Sequence, residues 1–267
     1  MTLVQSWLQK RYIRPSGVQK EVKKIMMRPW WVEKQIRPVI PPYLCFTANT
    51  ASSTVKLSKN GSPTSVTLET STDGSSWTTY SFGTQITLSN IWDKIYFRNT
   101  SETTTAFNTS VSNYYQFAMT WSIASSGEVN YLLNKNGTNS LNGNYTFFQL
   151  FLNCTSLTTP PELPATTLWN YCYQNMFYGC TSLNSLPKLP AIALVTNCYQ
   201  RMFYGCSNIK LSTTQTWEYQ NAYIIPSEWA WTISSWNDMY YMFQNTWWTF
   251  TWTPTINTTY YTSNTVV

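Results

Sequence analysis

Short runs of alternating apolar and polar residues fill the chain from Tyr43 to about Leu133. YLCFTA, STVKLS, SVTLET, WTTYSF, QITLS, KIYFRN and YYQFAMTWSI are each rich in β-branched and aromatic residues. Turn clusters such as Lys59-Asn60-Gly61-Ser62-Pro63 and Thr72-Asp73-Gly74 separate them. The regular spacing predicts a small antiparallel β-sandwich over residues 43–133.

Beyond that point the pattern repeats at long range. TSLTTPPELPATTLWNYCYQNMFYGC, ending at Cys180, runs directly into TSLNSLPKLPAIALVTNCYQRMFYGC, ending at Cys206, at a constant offset of 26 residues. Leu157 answers to Leu183, Pro164 to Pro190, Cys172 to Cys198, Met176 to Met202, Phe177 to Phe203 and Gly179 to Gly205. Degenerate copies flank the pair: Tyr145–Cys154 at the same offset, and Asp238–Asn245 at an offset of 40 from Cys198–Gly205. One unit cannot bury its own apolar face, so stacked units are expected, with atypical copies at the ends. The Leu-x-x-x-Pro-x-Leu-Pro part predicts extended backbone. The Cys-Tyr-x-x-Met-Phe-x-Gly-Cys part predicts a short helical turn, closed by a left-handed Gly179 or Gly205.

The repeat, especially Cys172–Leu183 and Leu189-Pro190-Ala191, resembles the BspA-like leucine-rich repeats of bacterial surface proteins. It is most similar to the versions in proteins of gut bacteriophages and prophages. The resemblance is clear over about residues 145–206. It implies a binding role, as a surface adhesin or a phage fibre, with no catalytic residue to carry over. The resulting expectation is a mainly β chain with short helices: an N-terminal arm (1–42), a β-sandwich (43–133) and a short leucine-rich-repeat-like solenoid with degenerate caps (134–267).

Charge separates the arm from the body. Of 17 basic and 11 acidic residues, nine basic and two acidic precede Tyr43, so the arm carries +7 and the remainder about −1. Ser16 and Gln19 have capping-box spacing, and a helix through Lys20, Lys23, Lys24 and Arg28 should stop at Pro29. Trp30 and Trp31 follow. Two readings of the arm stand open: a solvated basic helix, or a docking arm that orders on a partner. The partner would be another virion protein; nucleic acid is compatible with the charge but not favoured.

Composition removes several chemistries. Histidine is absent, so the usual general base and the commonest neutral metal ligand are missing. The six cysteines form no CxxC pair and fall into columns, Cys154/Cys180/Cys206 and Cys172/Cys198, with Cys45 apart. Small buried hydrophobes are the preferred reading over disulfides. No catalytic residue, metal or cofactor is expected. A glycosidase would need two carboxylates flanking a cleft, and no acidic residue sits in a recognisable motif. Ser71–Trp77 resembles the Asp-box hairpin of sialidases, one residue short, which in that family is a structural turn.

No export signal is recognisable at the N-terminus, and no apolar run is long enough to span a bilayer. These readings lead to a non-enzymatic virion fibre or decoration protein, homo-oligomeric, whose repeat domain faces a host glycan or protein. A bacterial cell-surface adhesin is the alternative. Tyr178 and Tyr204 are the candidate ligand residues, expected to project from successive coils; packing between the coils is the competing expectation. In the tail, Trp229, Trp231, Trp236, Trp247, Trp248 and Trp252 stand where the resemblance expects glycine. Three readings apply: a stop codon read as Trp, a ligand-binding aromatic cluster, or ordinary core.

Overall fold

The computed structural model describes residues 42–104, 106–227, 238–248 and 252–267. The arm residues Lys20, Lys23, Lys24, Arg28, Trp30 and Trp31 lie outside them, as do Trp229, Trp231 and Trp236. The described chain is mainly β, in several small sheets. The predicted sandwich segments hold β1 (Leu44–Ala48), β2 (Ser53–Asn60), β3 (Leu68–Ser71), β4 (Thr78–Thr79), β5 (Gln85–Leu88), β6 (Lys94–Asn99), β7 (Tyr114–Thr120) and β8 (Ile123–Ser126). Each run read from the sequence contains a strand. The last run holds β7 and ends on the first residue of β8, Ile123; β7 pairs with β2, whereas β8 pairs with β1 in the other sheet. Trp121-Ser122 is the corner where the chain changes sheets.

β5-β2-β7 form one antiparallel sheet. β4-β3-β6-β1-β8 form the other, which β9 (Leu157–Thr159) extends in parallel. The two share a core of edge-on rings: Phe46 from β1 lies 4.9 Å from Phe117 of β7, and Phe97 of β6 lies 5.4 Å from the same ring. Tyr80 ties the sheets with its buried hydroxyl, which accepts from Leu57 N and donates to Thr84 O.

The repeated segments lie one above another. Phe117, Phe151, Phe177, Phe203 and Phe243 form a single column of near-parallel rings, 5.2–5.5 Å between neighbours. Phe147, Tyr173 and Tyr199 form a second column at 5.8 Å spacing. Residues 26 apart therefore stack, and Phe203 on Phe243 realises the offset of 40. The first coil rests on β7, with Phe117 N donating to Leu150 O. The far side of the coils carries β10 (Ser185–Leu186) and β11 (Lys210–Ser212). β12 (Asn221–Ile224), β13 (Trp247–Trp248), β14 (Thr259–Thr262) and β15 (Thr265–Val266) complete the chain. β12-β14-β11-β13 make a mixed sheet, and β15 pairs with β10.

The expected helical turn in each repeat is not there. Among the described residues the one helical segment is a 3-10 turn at Val129–Leu132, outside the repeats. Instead, Tyr145–Cys154, Tyr171–Cys180 and Asn197–Cys206 are ribbons of linked turns with a four-residue period. Every second N–H closes a local turn: Gln174 N donates to Tyr171 O, Met176 N to Tyr173 O, Tyr178 N to Asn175 O and Cys180 N to Phe177 O. The alternate N–H groups reach the next coil, Tyr173 to Cys198 O, Asn175 to Gln200 O, Phe177 to Met202 O and Gly179 to Tyr204 O. Half of the backbone donors are thus spent between coils, which a helix, satisfying its own ladder, cannot do. Every fourth residue is left-handed: Tyr171, Asn175 and Gly179 have φ of 61°, 54° and 72°. The glycine conformation expected at 179 and 205 is present, as one link of this series rather than a helix end.

This period buries residues in pairs. Cys172-Tyr173, Met176-Phe177 and Cys180 point in, while Gln174-Asn175 and Tyr178-Gly179 are half-exposed. Full burial of one Phe or Met contributes about 1.5–3 kcal/mol, so the stacked columns dominate the stability of this half.

Candidate functional site

The outer side of the ribbons repeats as regularly as the inner. Tyr178 and Tyr204 are half-exposed, with ring centroids 4.6 Å apart and planes within 4° of parallel. Tyr145 and Tyr171 form a second such pair, 4.6 Å apart at 6°. Between these columns the Gln174 side-chain amide donates to that of Gln200. In the fourth coil, Asn245 Nδ2 donates to the Tyr204 hydroxyl at 2.9 Å. The Arg201 guanidinium lies 6.0 Å from the Tyr241 ring centroid. Both tyrosines named from the sequence therefore project from equivalent points on successive coils. The companion pair Tyr145–Tyr171 and the glutamine pair were legible through the same offset of 26 and were missed.

Stacking sets what this surface can do. Rings 4.6 Å apart cover each other's facing sides, so between Tyr178 and Tyr204 only edges and hydroxyls are presented. Recognition by laying a sugar or other flat ligand over an exposed ring, expected from the sequence, is closed to the inner faces of the pair. What remains is a row of hydroxyl and carboxamide groups, neutral apart from Arg201, suited to hydrogen-bonding a neutral polar ligand.

A second feature had no sequence signal. A parallel bridge sets Glu128 beside Glu162, 34 residues on. Burial, then the Glu162 charge, raises the Glu128 carboxyl above the usual carboxylate range. Glu162 also lines an open cavity of about 440 Å³ with Leu163, Pro164, Lys188, Pro190 and Ser227. Lys188 occupies the place of Glu162 one repeat on, so the groove wall alternates in charge.

The cysteines face inward and are free thiols. Cys180 Sγ donates to Phe151 O and Cys206 Sγ to Phe177 O, each at 3.0 Å, and Cys154 Sγ to Phe117 O at 3.2 Å. Burial pushes the Cys154 and Cys172 thiols up to about 12, which leaves almost no thiolate at neutral pH. In the Asp73 hairpin, the carboxylate accepts from Ser75 N, Ser76 N and the hydroxyls of Ser71 and Ser76. These bonds, those from the Ser76 and Ser75 backbone first, hold its carboxyl well below the usual carboxylate range. Oδ1 of Asp73 takes three of these bonds and Oδ2 one, all from within the turn.

Compared with protein-family models, curated proteins and solved structures, the chain matches none.

Proposed function

We propose that this chain is a non-enzymatic binding protein of a phage virion, a fibre or decoration component, in which a β-sandwich (43–133) closes one end of a short solenoid (134–267). The solenoid reading is supported by the phenylalanine column and by the coil-to-coil backbone ladder at one constant offset. The phage assignment rests on the resemblance of the repeat to BspA-like leucine-rich repeats of gut phages, with the +7 arm as the element that docks on other virion proteins.

The observation that carries the binding role is the outward tyrosine and glutamine ladder on a rigid stack. Tyr178/Tyr204 and Gln174/Gln200 recur at the coil spacing, and stacking and the amide hydrogen bond hold their polar ends in register on the outer side. A hydroxyl-rich neutral glycan on the host surface fits a row of edges, hydroxyls and amides.

The deciding experiment is Tyr178→Phe with Tyr204→Phe in the full-length protein. This pair keeps the stacked rings and removes only the hydroxyls. Attachment to host cells should fall severalfold with Tm unchanged; undiminished attachment would remove the ladder from the binding surface.

A further inference from the structure

Phenylalanine and tryptophan behave oppositely in this protein. Ten of the eleven described phenylalanines are buried, as large apolar rings should be. Of the six tryptophans whose side chains are described, five are exposed: Trp92 at 73%, Trp121 at 69%, Trp217 at 86%, Trp252 at 60%, and Trp169. Trp77 alone is half-buried, its indole covered by the Arg98 guanidinium at 3.9 Å and met edge-on by Tyr43 at 4.9 Å. Trp is seldom fully buried, yet it is highly buried on average, and rings left 45–86% exposed depart from that.

Backbone conformation sharpens the contrast. Trp92 has φ 74° and Trp121 φ 64°. The left-handed region is uncommon for any L-residue and a genuine outlier for a bulky one. Nine of the other left-handed non-glycine residues belong to the ribbon series, where the coil-to-coil ladder imposes that conformation; two more are Ser52 and Asn257. Trp92 and Trp121 have no such cause. Trp92 is the third residue of the turn Asn90–Asp93, closed by Asp93 N donating to Asn90 O. That place takes positive φ in a type II turn and calls for glycine. Trp121 is the first residue of the corner between β7 and β8. Seven of the eight described glycines have positive φ, so glycine is already this protein's residue for such sites.

We infer that positions 92 and 121 are inserted as glycine when the protein is made in its own source, their codon being one that is read as Trp only under a different code. The inference extends the codon reading of the tail from Trp252 to two sites where backbone geometry demands it, and it excludes Trp77. It also bears on recognition: with glycine at 92 and 121, neither exposed turn offers an aromatic platform for a ligand.

The gene offers a first check: positions 92 and 121 should share one codon, and position 77 should use another. Tandem mass spectrometry of peptides spanning residues 70–82, 85–99 and 114–126 from the native source should then read Trp at 77 and glycine at 92 and 121. Trp at 92 and 121 in native peptides overturns the inference. As an independent readout, Trp92→Gly and Trp121→Gly in the full-length recombinant chain should each raise Tm by about 2–4 °C, through relief of left-handed strain. A fall in Tm for both would show that the indoles are native to these turns and overturn it as well.

Discussion

Tyr178 and Tyr204, 26 residues apart in the chain, stack with their planes 4° from parallel and their centroids 4.6 Å apart on the outer side of successive coils. The pair does two jobs: it covers apolar ring faces that would otherwise meet water, and it leaves its two hydroxyls on the outer side, that of Tyr204 accepting from Asn245 Nδ2. Aromatic pairs of this kind contribute about 0.5–1.5 kcal/mol beyond area burial. A double-mutant cycle with Tyr178→Ala and Tyr204→Ala, followed by urea unfolding, should return a coupling energy in that range. Additive losses would mean that the rings do not touch in solution.

Gly179 and Gly205 share φ of 72° but not their surroundings. A Cβ on Gly205 would find nothing nearer than Gly179 Cα at 3.8 Å, whereas one on Gly179 would come within 2.3 Å of Asn153 Oδ1. Gly205→Ala should therefore cost only the left-handed penalty, about 1–2 kcal/mol. Gly179→Ala should cost more, and the excess should vanish when Asn153 is also changed to Ala. Equal costs in the wild-type background would contradict this packing.

Tyr173 is buried, and its hydroxyl has no hydrogen-bond partner among the described residues. The equivalent place one coil earlier is held by Phe147. An unpaired buried hydroxyl costs about 1–3 kcal/mol, so Tyr173→Phe should raise the urea midpoint. A lower midpoint would reveal a partner for the hydroxyl.

Alkali should unfold this protein earlier than its core size suggests. The thiols of Cys154 and Cys172 are pushed up to about 12, and burial raises those of Cys180, Cys198 and Cys206 in the same direction. The unfolded chain releases these protons near pH 8.5 while the folded chain keeps them, so ionisation favours unfolding. The thiol contribution should be level from pH 7 to about 8.5 and then fall toward pH 12, at up to about 1.4 kcal/mol per thiol per pH unit. Urea midpoints at pH 7, 8, 9 and 10 measure it, and Cys172→Ala should make the fall shallower. A midpoint that is flat to pH 10 would argue that the thiols reach water.

Much of this arrangement is legible in the sequence. The offset of 26 named which residues would lie above one another, because identical coils stacked in parallel must place like on like. The alternating runs named the strands, because period-2 patterning with turn residues at the ends has few other outcomes. Local chemistry also sufficed for Asp73, whose partners lie within three residues, and for the left-handed Gly179 and Gly205.

Tertiary structure decided the rest, wherever the deciding partner was distant in sequence. Cys172, Met176, Phe177 and Cys180 satisfy both a helical face and a two-in, two-out ribbon, and nine residues are too few to separate periods of 3.6 and 4. The ribbon prevails because half of its N–H groups find acceptors on the neighbouring coil, a partner that one repeat does not contain. The break at Trp121-Ser122 near the end of YYQFAMTWSI depends on β7 and β8 pairing into different sheets. The meeting of Glu128 with Glu162 depends on a parallel bridge that no spacing announces. The sequence determined that Tyr178 and Tyr204 would be neighbours. Only the packing decided that they turn their faces to each other and their hydroxyls outward, since stacking at the coil spacing hides apolar area that neither ring could bury alone.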